Sequence, residues 1–430
     1  MYTNIEDVLR FLQSRNGLGI KPGLERMTKM LEQLDHPEQQ LKVVHIAGTN
    51  GKGSTLTFIK QALVQNGYKV GSFTSPSIDR FNDQIKINDQ VIPDSSLMKI
   101  TNRLIPIIVT LDEDGDPPTE FEITVVIAIL YFVKTVDIAL IEAGMGGRDD
   151  STNCVLPILS IITNVGMDHV AFLGDTLRDI ASHKAGIIKQ NIPIISGEMN
   201  SDVLAIIEKE ALGKAATLYR YQREYSIANK HLSKEKQETF SFVAGDYQID
   251  AIELSMKGEH QIKNAALACM ALVQLQALGY ELSTDTIKKG IKIALIPGRF
   301  EQVYSNPIVI IDGAHNQEGV QAFLNTTKRL YPEMEKQIIF AAFKDKPLKQ
   351  MIDQMEGNFE KITFTTFDHS RAAEATQLFG ISNSKKKELD LDWENAVSSF
   401  LSKESSQKML FVTGSLHFIK LIRKYFEYLE

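Results

Sequence analysis

KVVHIAGTNGKGSTLTFIKQALVQN, residues 42–66, decides how the rest of the chain is read. Lys42–Ala47 is a β-branched run of the length of one buried strand, and Ser54–Asn66 reads as the helix after it. Between them stands Gly48-Thr49-Asn50-Gly51-Lys52-Gly53-Ser54-Thr55. Glycines let backbone N–H groups turn inward toward phosphate oxygens, and the following helix N-terminus adds a favourable dipole. Lys52 is suited to the outer phosphates, and Ser54 or Thr55 to a metal ion or another phosphate. The spacing departs from a strict Walker A loop. Gly53 separates Lys52 from the hydroxyl residues, and the first two glycines stand close together. A plain glycine-rich turn is the alternative, and the lysine in this strand-to-helix context favours phosphate.

Outward from this unit, short β-branched runs alternate with amphipathic stretches, the pattern of a parallel α/β sheet. Tyr68–Phe73, Gln84–Asn88, Val136–Ala143 and Ile158–Asn164 read as strands; Thr119–Lys134, opened by a Thr119…Glu122 capping box, and Thr176–Lys189 read as helices. Residues 216–255 suggest short strands around a charged, solvated loop, Ser233 to Glu238, and Gln261–Leu278 is Ala-rich and helical. A second α/β pattern starts with the strand inside Val303–Asp312 and runs to the helix Leu416–Tyr428. Pro297 and Gly298 break helical periodicity between the two, giving expected domains 1–296 and 297–430.

A chain of 430 residues exceeds what one core usually supports, in keeping with two domains. Its 47 Lys+Arg against 54 Asp+Glu leave a formal charge of −7, so a general nucleic-acid binder is not expected. The two cysteines, Cys154 and Cys269, are far apart and lack metal-ligand spacing, which suits a reducing, cytoplasmic location. Met1 to Leu12 has no signal-peptide core, and the most apolar stretch, Ile123 to Val133, is too short to span a bilayer, so no membrane partner is expected. Asp112, Asp114 and Asp116 alternate like a calcium loop, but Pro117 stands where glycine is needed; an acidic surface loop is the better reading. Lys385-Lys386-Lys387 reads as a solvated loop.

Further candidates lie at strand ends, where open α/β sheets bind ligands. Glu142, in EAGMGGR (142–148), suits a Mg²⁺ ion brought in with a nucleotide, and it and Arg148 are expected to face the Gly48 loop. Asp149 stands where a dinucleotide fingerprint needs its third glycine, so that fingerprint fails. His169, in NVGMDH (164–169), could ligate a metal or orient a neighbour. Lys184, taken alone, reads as a surface lysine. Asp312 and His315, in DGAHN (312–316), could handle an ammonium group or a proton; the plainer reading makes Asp312 or Asn316 a helix cap. Arg299 is suited to gripping phosphate.

Taken in order, GTNGKGST (48–55), FTSPSIDRFNDQI (73–85), PTEFEIT (118–124), EAGMGGRDDSTN (142–153), NVGMDHVAFLGDTLRDIASHKAGIIK (164–189), HQIKNAALA (260–268), PGRFE (297–301), DGAHN (312–316) and TGSLHF (413–418) resemble the folylpolyglutamate synthase/dihydrofolate synthase family of Mur-type amide ligases. The resemblance implies an α/β architecture: an N-terminal P-loop ATPase domain with a parallel-rich sheet, then a smaller C-terminal Rossmann-like domain. It implies ATP as co-substrate, L-glutamate as the incoming amine and a reduced folate as acceptor, with dihydropteroate the alternative, in a protein expected to act as a monomer. By the same likeness Ser75, Glu142 and His169 match Mg²⁺ ligands, and Lys184 matches a lysine carbamylated in the family. Asn264 and Arg299 match nucleotide contacts, and Asp312 and His315 match residues placed near ATP and the incoming glutamate. His183, Ser77, Gln317 and His417 depart from the residues usual at their places. A P-loop ATPase switch is the rival from another class; its ATP turnover would depend on neither folate nor glutamate.

Overall fold

All five residues of the first strand, β1 (Val43–Ala47), are buried, as a strand covered on both faces requires. The computed structural model describes residues 1–77, 80–402 and 408–429. Among them β1 is central in an eight-stranded sheet, followed by β2 (Val70–Phe73), β3 (Ile85–Ile87), β4 (Gln90–Val91), β5 (Ile138–Glu142), β6 (Leu159–Ile162), β7 (Ile194–Ser196) and β8 (Leu218–Arg220). The spatial order is β4-β3-β2-β5-β1-β6-β7-β8, and all pairs are parallel except β2–β3 and β3–β4. The register Ile46↔Glu142 and Ala47↔Ile162 brings the ends of β1, β5 and β6 to one level, so the loops after them share one edge. The expected capping box is present. Thr119 Oγ1 accepts from the Glu122 N–H (3.2 Å) and Glu122 Oε2 from the Thr119 N–H (2.7 Å), opening the helix Glu120–Phe132.

A three-stranded sheet follows, β9 (Ser226–Leu232), β10 (Glu238–Ala244) and β11 (Tyr247–Leu254), with β10 in the middle. The loop before β10 is not solvated throughout as expected: Glu238 has no exposure, and Arg329 Nη2 donates to its Oε2 (2.9 Å).

Contacts divide the chain into one unit of Met1–His231, Thr239–Leu254 and Ile262–Ala294, and another of Leu232–Glu238, Ser255–Gln261 and Leu295–Glu430. The second unit carries a six-stranded sheet: β12 (Glu301–Ser305), β13 (Ile308–Ile311), β14 (Glu335–Phe340), β15 (Lys361–Phe364), β16 (Lys387–Leu389) and β17 (Lys408–Thr413), in the order β12-β13-β17-β14-β15-β16. Only β12 runs antiparallel to its neighbour. Lys385-Lys386-Lys387 leads into β16 instead of forming a free loop, and Lys387 Nζ donates to the Phe379 and Ser382 carbonyls.

The helix Asp94–Glu113, 20 residues with Pro106 inside it, has no counterpart in the sequence reading. The acids at its end are bound to cations: Asp112 pairs through both oxygens with Arg15 (2.6 Å each), and Asp116 with Arg26 and Lys29. Among the described residues no helix is long and apolar enough to cross a membrane.

Candidate active site

At the end of β1 the chain turns at Gly48 (φ +153°), so close to β6 that a Cβ there would strike Thr163 Oγ1. Gly51 (φ +85°) caps the helix Lys52–Gln65, and a Cβ there would strike the side-chain amide of Asn264. Both positions therefore require glycine. Asn264, on the helix Glu259–Ala277, is thereby placed against the loop.

The neighbouring strand end braces this loop. The Thr49 N–H donates to the Asn164 carbonyl (3.1 Å) and the Asn50 N–H to Asn164 Oδ1 (2.8 Å); Thr163 Oγ1 donates to the Asn50 carbonyl (2.6 Å). The Thr49 and Asn50 N–H groups are thus both engaged by Asn164. Thr55 N–H closes the first intrahelical bond, to the Gly51 carbonyl (2.9 Å). The N–H groups of Lys52, Gly53 and Ser54 precede it and are the ones a helix terminus offers to an anion. Thr55 has no exposure and its Oγ1 has no hydrogen-bond partner, so Ser54 is the better placed of the two hydroxyls.

Lys52 Nζ donates to the Gly48 carbonyl (3.0 Å) and lies 3.8 Å from Glu142 Oε1. The structure thus brings together the loop lysine and the carboxylate that ends β5, which is only 6% exposed.

Lys184 is not on the surface. It is 3% exposed, near the end of the helix Leu177–Ala185, because the loop after β5 clamps that end. The Arg148 N–H donates to the His183 carbonyl (2.7 Å), and Gly147 packs so closely that a Cβ would lie 2.8 Å from the same oxygen. Burial drives the Lys184 amine down to about 7; the Lys52 charge pushes the same way, and Asp168 and Asp150 oppose. Arg148 does not face the Gly48 loop as expected. Its guanidinium donates to the Ser182 carbonyl (2.9 Å), so it grips the clamped helix end. His183, at one of the departures noted above, pairs through Nδ1 with Asp149 Oδ2 (3.3 Å).

Two organising residues escaped the sequence reading. Asp150 Oδ2 accepts from the Met145 N–H (2.7 Å), and its Oδ1 accepts from the backbone and hydroxyl of Thr152, which fixes the loop containing the clamp. His45 Nε2 meets the same Thr152 hydroxyl (2.9 Å). Full burial lowers the His45 pKa to about 3, with Lys189 adding to the shift, so the ring is neutral. Neither role leaves a mark in spacing, because each depends on groups that folding brings near.

Ser75 lies just past the end of β2, which pairs with β5 in the register Phe73↔Ile141. His169 takes a left-handed conformation (φ +53°), keeps its side chain 44% exposed and lies 3.9 Å from Asp168 through Nε2. Among the described residues no three of His, Cys, Asp and Glu are grouped as a ready metal cage. Of the three residues matched to Mg²⁺ ligands, Glu142 supplies a carboxylate beside the loop lysine, and a carboxylate oxygen is the donor that Mg²⁺ takes.

In the second unit Asp312 follows β13. Its Oδ2 accepts from the Phe300 N–H (2.9 Å) and its Oδ1 from the Ala314 N–H (2.9 Å). Burial raises its pKa, and the nearby Arg299 guanidinium opposes that rise. Asn316 is the cap of the helix Gln317–Leu330, accepting from the Gly319 N–H (2.8 Å). His315 Nδ1 lies 2.8 Å from the Gly313 carbonyl; a carbonyl only accepts, so Nδ1 carries the proton. Phe300, a bulky residue at φ +47°, holds a conformation that costs on the order of 1–3 kcal/mol.

The family model described as the Mur ligase middle domain matches residues 46–272, and that of the Mur ligase glutamate ligase domain matches residues 298–416. The dihydrofolate synthase/folylpolyglutamate synthase of Bacillus subtilis is 39% identical, over 99% of this chain and 99% of that one. A crystal structure of folylpolyglutamate synthase from Thermotoga maritima aligns with a TM-score of 0.85 at 32% identity, covering 99% of this chain and 97% of that one. A structure of Escherichia coli FolC in complex with DHPP and ADP aligns with a TM-score of 0.89 at 25% identity, covering 99% and 98%. Two matching domain models in sequence and a relative of full length at 39% identity lead to one conclusion: the chain belongs to the dihydrofolate synthase/folylpolyglutamate synthase family of Mur ligases.

Proposed function

We propose that this chain is an ATP-dependent ligase that joins L-glutamate to the γ-carboxylate of a reduced folate through an acyl phosphate, releasing ADP and phosphate. The observation that carries the reading is the glycine loop that opens the helix Lys52–Gln65 directly after a buried strand, with Lys52 3.8 Å from the Glu142 carboxylate. First-turn N–H groups beside a lysine suit the phosphates of a nucleotide.

A carboxylate is a poor electrophile. Its oxygen attacks the γ-phosphorus, ADP leaves, and the amine of glutamate then attacks the acyl carbon; phosphate departs from the tetrahedral intermediate. Lys52 leaves its carbonyl and Glu142 partners to meet the β- and γ-phosphates, while the first-turn N–H groups hold the same oxygens. Ser75, Glu142 and His169 are the proposed Mg²⁺ ligands, and the ion would neutralise phosphate charge when bound. Lys184, with its pKa near 7, supplies the neutral amine that adds CO₂. Carbamylation would replace a charge that Lys52 repels with one that it attracts. Asn264 and Arg299 are further proposed nucleotide contacts, and Asp312 and His315 are assigned to the nucleotide and incoming glutamate. A monomer in the cytoplasm completes the proposal, in keeping with the free cysteines Cys154 and Cys269.

Dihydropteroate is the second acceptor to be weighed, because the Bacillus subtilis relative is named for both activities. Mass analysis of tetrahydrofolate and dihydropteroate after incubation with Mg-ATP and L-glutamate tests the reading. A gain of one glutamyl residue on tetrahydrofolate is expected, and a gain on dihydropteroate would add the synthase activity. No gain on either acceptor would overturn the proposal.

A further inference from the structure

We infer that Glu198 is a positioning residue for nucleotide binding: from the end of β7 it holds the segment after β6 that braces the glycine loop. The inference deepens the reading above, in which Lys52 and the first-turn N–H groups take the phosphates. Glu198 is 8% exposed and accepts three backbone N–H groups: Val165 at Oε2 (2.6 Å), and Met199 and Asn200 at Oε1 (2.8 Å each). The last two are local and fix the carboxylate where the chain enters the helix Ser201–Gly213. The first crosses to the neighbouring strand end, 33 positions away.

Three strand ends form one line of support. β7 pairs with β6 in the register Ile162↔Ser196, and β6 with β1 in the register Ala47↔Ile162. Just past β7 the Gly197 N–H donates to the Ile162 carbonyl (3.0 Å), and a Cβ on Gly197 would strike the Thr163 carbonyl. The Asn164 carbonyl and the Val165 N–H belong to one planar peptide unit. Its oxygen receives the Thr49 N–H (3.1 Å), and its N–H reaches Glu198. Gly166, on the other side of Val165, donates its N–H to Thr49 Oγ1 (2.9 Å), and that hydroxyl donates to the Gly166 carbonyl (3.1 Å). Val165 is thus flanked by the two residues that hold Thr49, and Glu198 sets the tilt of the peptide between Asn164 and Val165. Without that acceptor the peptide plane would turn, and the carbonyl that receives the Thr49 N–H would turn with it.

Near-isosteric variants and ADP calorimetry test this. Glu198→Gln keeps the side-chain length but has one acceptor oxygen; with that oxygen on Met199 and Asn200, its amide meets the Val165 N–H donor to donor. ADP binding should weaken about 3- to 10-fold, the worth of one ordinary hydrogen bond. Thr49→Val removes the hydroxyl link to Gly166 and should cause a comparable loss. Both act on one support, so the double variant should be at most about twofold weaker than the weaker single variant. In kinetics, Glu198→Gln should raise KM for ATP and leave KM for L-glutamate in place; a rise in both would mark general loosening and overturn the inference. Should Glu198→Gln not fold, Glu198→Asp keeps acceptors for the local N–H groups but falls short of Val165, and the same loss is expected. A lower melting temperature with unchanged ADP affinity would make Glu198 a stabilising residue only and overturn the inference alone, as would losses that multiply in the double variant. Failure of the unaltered protein to bind ADP would overturn the nucleotide reading, and this inference with it.

Discussion

The strand ends around Gly48 and the strand end at Asp312 look alike in sequence: a β-branched run followed by glycine, charged and amide residues. In the structure they are used differently. Around Gly48 the bracing is supplied by neighbours, Thr163 and Asn164, and the loop lysine meets the Gly48 carbonyl and the Glu142 carboxylate. At Asp312 the motif residues brace themselves, because both carboxylate oxygens accept backbone N–H groups and Asn316 caps a helix. Each Asp312 oxygen accepts one backbone N–H and keeps a further lone pair, so this strand end is braced from within and still has acceptors to offer. The two strand ends differ in where the bracing comes from.

This contrast can be broken by substitution. Lys52→Ala should lower turnover on the order of 10²- to 10³-fold, the usual cost of one preorganised charge contact; near-normal rates at saturating ATP would remove Lys52 from its role. Gly48→Ala puts a Cβ into Thr163 and should weaken ADP binding about tenfold, with strain of about 1–3 kcal/mol distorting the loop. Calorimetry would check it, and unchanged affinity would mean that the loop tolerates a shift.

The brace has its own acid limit. His45 is neutral when folded, with a pKa of about 3, against 6.5 for the ring in water. Between those values the unfolded chain binds the extra proton, so stability should fall as pH drops through about 6.5 toward 3, by at most about 1.4 kcal/mol per pH unit. His45→Gln should flatten that slope in thermal unfolding measured at several pH values. The smallest effect is expected in the second unit. Asn316→Ala removes a cap and should cost about 1 kcal/mol in urea unfolding while KM for ATP stays close to its original value. A large rise in KM would place Asn316 at the ligand and undo the contrast.

Local patterns were legible in the sequence. The strand and helix flanking Gly48–Thr55 and the Thr119…Glu122 capping box are short-range features that residue order alone determines. The helix Asp94–Glu113 was not legible, since Pro106 removes a backbone donor inside it and the polar Thr101 interrupts its apolar face. Burial of Lys184 was hidden for another reason: it depends on Gly147 and Arg148 folding over the helix end from 36 or more positions away, and only the resemblance marked the residue. Nor could spacing reveal that Thr49 and Asn50 turn their N–H groups to Asn164.

The most direct test of the ligase assignment is the initial rate of ADP release from Mg-ATP, measured with and without L-glutamate and with tetrahydrofolate or dihydropteroate as acceptor. A ligase releases ADP rapidly only when glutamate and an acceptor are both present. A rate that neither acceptor nor glutamate raises would contradict the assignment and favour a nucleotide-driven switch.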